Sequence, residues 1–221
     1  MSQDWNAYNS SSASYGGQVP VWVKIPKRLE SGGLIDKTNL VEGEIIYAAS
    51  PFAFNTTTKA AKLLKIFKVK AVEVISTNTK ITVYAIGNLP KLHNGNFVMI
   101  LPSTLAGTGK AIEVTSLDLT VAGEASFTVV TANIDAVAVG TYLVQSSATA
   151  AGSGKSIYCV PNTLSIDDTI VGDQNSIGLA RGEKYLYENT APWLPAIVAA
   201  AIPMLELHHF NEVQNSGYVA D

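Results

Sequence analysis

Charge is what this sequence has least of: Asp, Glu, Lys and Arg together make up 15% of its 221 residues, against roughly 25% in an average soluble domain. Arginine is nearly missing, with Arg28 and Arg181 the only two. Cys159 is the sole cysteine, which excludes an intrachain disulfide framework. It sits in the apolar run Ser156–Val160, where a structural thiol is expected rather than a nucleophile. Long apolar runs are missing too. The most apolar stretch, Trp193 to Leu207, is broken by Pro195 and Pro203 and carries Glu206, so it is too short and interrupted to span a bilayer. The first residues, Met1 to Asn6, show neither a basic nor an apolar signal region, and the chain is expected to be made in a cytosol.

What is present is apolar and β-forming. The hydrophobic fraction is 47%, which excludes wholesale disorder. Ser, Thr, Asn and Gly carry most of the polar character, and Val, Ile and Thr suit strands better than solvated helices. Mean hydropathy is +0.20, so much of the surface is expected to meet other protein. The net charge of −3 hides two unlike halves. Residues 1–110 hold 12 basic and 6 acidic side chains, and residues 111–221 hold 3 and 12. Such a dipolar chain could steer a basic part onto an acidic neighbour; the simpler expectation is that the halves interleave.

Three regions follow. Residues 1–40 read as an extended N-terminal arm: a Ser/Asn/Gly-rich tail with Trp5, Tyr8 and Tyr15, then Val19–Pro26, where Pro20 and Pro26 bar a helix. Residues 41–176 read as a β-domain, with strands expected at 44–48, 64–76, 80–86, 96–101, 110–119, 126–131, 142–145 and 156–160. The lysines spaced through 59–68 admit an amphipathic helix, but the β-branched run that follows favours strand. Residues 177–221 form a C-terminal docking segment with a short apolar helix or strand near Ala196–Ile202. The fold class expected is all-β, a small β-sandwich or barrel-like domain.

An internal repeat supports that class. Residues 95–112 align with 140–157 at an offset of 45, with seven of 18 positions identical, including Ala-Gly-x-Gly-Lys. Each copy reads strand, polar turn, strand, so a repeated hairpin is expected.

The chemistry-bearing motifs fall to simpler readings. Gly152-Ser153-Gly154-Lys155-Ser156 resembles the end of a phosphate-binding loop, but Thr149 stands where the first glycine belongs and a strand is expected to follow. His93, His208 and His209 have no partners at metal-ligand spacing. Asp167, Asp168 and Asp173 lack the alternation of a calcium loop. No acid/base dyad or nucleophile elbow can be named, so no catalytic residue, metal or cofactor is assigned and an enzyme is not expected. The basic cluster Lys59, Lys62, Lys65, Lys68 and Lys70 lacks the arginines and interleaved aromatics of a nucleic-acid surface and reads as a solvated strand face or a basic patch against an acidic protein.

The stretches Leu40–Tyr47, Ala60–Val69, Asn94–Val98, Ala106–Ala111, Ala180–Glu183 and Asn189–Pro195 together resemble the auxiliary capsid (head decoration) and head-fibre proteins of crAss-like tailed bacteriophages. The resemblance covers about residues 40–205. It implies a structural virion protein that decorates and stabilises the exterior of the capsid by bridging subunits. Its partners would be the major capsid protein, other copies of itself and a head-fibre protein, with no membrane and no nucleic acid. A head-fibre base is a related alternative, and a carbohydrate-binding β-sandwich module is one from another class. Trp5, Tyr8, Tyr15 and Trp22 are the expected partner anchors, because large aromatics in a polar arm concentrate interface energy. On that expectation, replacing Trp22 would lower capsid occupancy and leave the domain folded.

Overall fold

The computed structural model describes residues 21–24, 26–30, 32–87, 89–172, 175–187 and 191–208. The chain is all-β, of the sandwich- or barrel-like class, with multiple sheets. Its largest sheet is built where alternation in the sequence is strongest. In β7 (Ile66–Ile75), Phe67 and Val69 point inward while Lys68 and Lys70 point outward. β7 turns directly into β8 (Asn78–Tyr84), and β8 pairs along its whole length with β11 (Glu124–Val130). With β9 (Phe97–Ile100), β10 (Gly109–Glu113), β12 (Tyr142–Gln145) and β13 (Gly152–Lys155) these make a seven-stranded antiparallel sheet in the order β11-β8-β7-β12-β9-β10-β13.

The repeat explains the centre of this sheet. β9 and β10 form the first hairpin. β9 also pairs with β12, its counterpart in the second copy, with Val144 opposite Met99, Leu143 opposite Ile100 and Gln145 opposite Val98. Because Val144 aligns with Met99 in the repeat, the two copies meet about a local two-fold axis through that pair. The second hairpin is less regular. Ile157 bridges Ser146, three positions along from the residue matching Val98, the partner of its counterpart Ile112. β7 occupies the edge of β12 that a regular second hairpin would use. Residues 156–160 thus contribute a bridge at Ile157 instead of the expected strand.

Both faces of the sheet centre are covered. Val98, Leu143, Phe67, Val69, Ile81 and Phe127 share one core. On the opposite face, Met99, Val144, Leu64 and Ile66 pack with Val198 of α1 (Ala196–Ala201), the short apolar helix expected near the C-terminus.

A five-stranded sheet packs its own core in the order β14-β5-β6-β3-β16. Its members are β3 (Gly33–Ile35), β5 (Pro51–Phe54), β6 (Ala60–Leu63), β14 (Thr163–Leu164) and β16 (Ser176–Ile177). The lysine-spaced stretch is strand in β6, not helix. Smaller pairings join β4 (Ile45–Ile46) to β15 (Thr169–Ile170) and β2 (Lys27–Arg28) to β17 (Ala180–Arg181). A three-stranded sheet sets β18 (Lys184–Tyr187) between β1 (Trp22–Lys24) and β19 (Leu205–His208).

Strand pairing crosses both boundaries drawn from the sequence. Residues 33–35 lie between β6 and β16 with Ile35 in the core, and 22–24 and 27–28 pair with segments beyond 177. The described part of the segment 1–40 is therefore woven into the body, because its strands supply edges that β6, β17 and β18 would otherwise leave open.

Candidate docking surface

Of the four expected anchors, Trp5, Tyr8 and Tyr15 lie outside the described residues. Trp22 is half-buried beside Ala49, Leu164, Leu186 and Ile202, and its indole N–H donates to the carbonyl of Ile166 at 3.0 Å. Both the apolar body and the polar tip of this side chain are already engaged within the chain. The expectation that its loss would leave the domain folded is therefore replaced by one of lost stability.

A different aromatic group stands on the outward side of the seven-stranded sheet. Lys68 faces Tyr142 across β7 and β12, with its ammonium 5.9 Å from that ring's centroid and 5.4 Å from the Trp193 ring. Trp193, from the segment leading into α1, meets Tyr84 edge-on at 5.2 Å and 75°. Lys70 lies 5.5 Å from the Tyr84 ring and pairs with Glu124, whose hydrogen bond raises the lysine's pKa. Cations this close to ring centroids are held by the ring quadrupoles. Lys68 has no carboxylate partner among the described residues. Two residues beyond Tyr84, Ile86 is 52% exposed and lies against Gly123 of the neighbouring turn, where Leu119 and Val121 are 61% and 55% exposed. Half-buried rings and an ammonium between two of them thus gather on this side of the sheet, and bare aliphatic side chains follow β8 and precede β11.

The basic cluster divides on folding. Lys62 is exposed and Lys65 is fully buried, with its Nζ 2.7 Å from Oε1 and 2.9 Å from Oε2 of Glu44 and 3.2 Å from the Lys91 carbonyl. Glu44 is buried too, and its Oε2 accepts the N–H of Val41 at 3.2 Å. Burial pulls the Lys65 pKa down while Glu44 pushes it up, the net direction being down. The Nε2 of His93 lies 3.3 Å from the same Oε2 without forming an aligned hydrogen bond. Burial and the nearby Lys65 lower the His93 pKa. Sequence reasoning missed this cluster; its signal was a lysine flanked on both sides by apolar pairs, Leu63-Leu64 and Ile66-Phe67.

The other singled-out residues have structural engagements. The Cys159 thiol donates to the Lys62 carbonyl at 3.5 Å, and burial pushes its pKa up to about 12. Asp167 pairs with Arg28, and Asp168 accepts the N–H of Ala48 at 2.7 Å. Asp173 and His209 lie outside the described residues; His208 ends β19 beside Glu206 and the Tyr185 ring. Gly152–Lys155 is strand β13, paired with the matching Gly109–Ala111 of the first repeat. Among the described residues, no helix is long and apolar enough to cross a membrane. No protein-family model, curated protein or solved structure matches this chain.

Proposed function

We propose that this chain is a structural virion protein that decorates the outside of a tailed-phage capsid and stabilises the shell by bridging its subunits. The observation that carries the reading furthest is the group of Trp193, Tyr84, Tyr142 and Lys68, with Ile86 exposed just after β8 and Leu119 and Val121 exposed just before β11. Trp and Tyr are what protein interfaces enrich at their centres. Low charge and the likeness to auxiliary capsid proteins support the same role, with the major capsid protein as partner and no catalysis required. Binding the assembled shell alone would stabilise it by mass action.

The test is to mix the purified chain with empty capsids of its phage and image the particles by electron microscopy. Symmetry-related outer density at many copies is the expected result. Density at a few sites only would move the assignment to a head-fibre base. Failure to bind would remove the decoration role.

The same aromatic face favours one second reading, a carbohydrate-binding module, because sugar rings stack on half-exposed Trp and Tyr side chains. A glycan array distinguishes it: a hit abolished by Trp193→Ala, with no capsid binding, would establish that reading instead.

A further inference from the structure

We infer that the groove between β1, β2 and the start of β18 is a binding site for an extended acidic segment of a partner protein. The groove has a volume of about 410 Å³ and is lined by Lys24, Lys27, Arg181, Glu183, Tyr185 and Met204, among others. Its charge is unbalanced. Lys27 on β2 stands directly opposite Arg181 on β17, a like-charge pair of the kind that destabilises a two-stranded ladder. Neither side chain, nor Lys24, has an ion-pair partner among the described residues. The one carboxylate lining the groove, Glu183, accepts the Tyr185 hydroxyl at 3.2 Å, and nearby Asp167 is taken by Arg28.

The neighbouring residue Lys184 lines a separate pocket with Arg181 and Gly182. The Lys184 ammonium is buried and donates to the carbonyls of Gly182 and Pro203, each at 2.9 Å, with no ion-pair partner among the described residues.

The arrangement fits a chain better than a single small anion. The three free cations stand on three different strands, Lys24 on β1, Lys27 on β2 and Arg181 on β17. Pro26 lines the same groove, and Met204, 70% exposed, offers an apolar rim. Carboxylates on alternate residues of an extended segment could meet the lysines singly and the guanidinium in bidentate fashion. This inference deepens the docking reading and rests on it only for the partner being a protein.

The test measures binding of a fluorescent Asp-Ser repeat peptide to the full chain by anisotropy, against its Asn-Ser counterpart. Expected are binding of the acidic peptide alone and weakening with salt. Lys27→Gln and Arg181→Gln should each weaken it roughly tenfold, the loss of a charge-assisted contact, while Lys155→Gln on β13 leaves it unchanged. Without peptide, Lys27→Gln should hold or raise the melting temperature, since it removes a repulsion. The inference is overturned by no binding, by equal weakening with Lys155→Gln, by a lowered melting temperature in Lys27→Gln, or by stronger competition from inorganic phosphate or a sulfated oligosaccharide than from unlabelled peptide. Capsid binding measured on the same variants separates the two readings. Capsid binding without peptide binding removes this inference alone; peptide binding without capsid binding removes only the decoration role.

Discussion

Inside the protein, Glu44 meets Lys65 with both oxygens and the Lys91 carbonyl takes a further hydrogen bond. Removing one partner of such a pair leaves the other charge buried without compensation, at a cost of about 3–5 kcal/mol. Glu44→Gln should therefore lower the free energy of unfolding by about that amount in urea titration. Glu44→Leu combined with Lys65→Met, which removes both charges, should recover most of the loss. His93 adds a pH dependence to the same cluster. Its folded-state pKa lies below the ordinary 6.5 because burial and Lys65 oppose protonation more than Glu44 favours it. The unfolded chain then binds the proton more readily, so the stability due to neutral His93 is complete above pH 6.5 and is lost as pH falls below it. Denaturation midpoints measured between pH 7 and 5 should show this fall, and His93→Gln should flatten it. Only the apolar pairs flanking Lys65 hinted at its burial; its partners were not legible locally. Lys65 belongs to a run of evenly spaced lysines that reads as a solvated face, and its counter-charge is 21 residues away.

At the scale of elements, the sequence spoke clearly where a strand is long and alternates. β7, β8, β11 and β12 lie close to where the pattern puts them, and the repeat marks the hairpin of β9 and β10. It placed β4 within the expected strand 44–48 but was silent on β2, β14, β15, β16 and β17, each two residues long. Two residues carry no period, and these pairings join segments more than 100 positions apart, so long-range packing decides them. β3 shows what such packing demands. A Cβ on Gly33 would lie 2.7 Å from both the Ala61 Cβ and the Leu179 Cδ1, closer than any real contact. The absence of a side chain is what lets β3 lie parallel beside β6. Gly33→Ala should therefore cost about 1–3 kcal/mol by overpacking, read as a lower midpoint in chemical denaturation. A wild-type midpoint would mean that β3 sits loosely and that the segment before residue 40 is separable from the body after all.

For the molecule as a whole, the two charge halves do interleave in places, through Arg28 with Asp167 and Lys70 with Glu124, yet the groove lined by Lys24, Lys27 and Arg181 stays basic. The anchors read from the N-terminal sequence likewise divide between two tasks that a single experiment can separate. Trp22 closes the core formed by Ala49, Leu164, Leu186 and Ile202 and ties β1 to Ile166. Its truncation removes a large packed ring and leaves a carbonyl unpaired, so Trp22→Ala should destabilise the fold by about 3 kcal/mol. A drop in capsid occupancy by that variant would then follow from unfolding and say nothing of contact. Trp5, Tyr8 and Tyr15 carry the expectation of direct contact, so the informative variant replaces all three with Ala. On the docking reading, its melting temperature should match that of the wild type while capsid occupancy falls by about tenfold or more, since central interface aromatics contribute about 2 kcal/mol each. Unchanged occupancy would take the N-terminal aromatics out of the interface and leave the Trp193 face and the basic groove to account for docking.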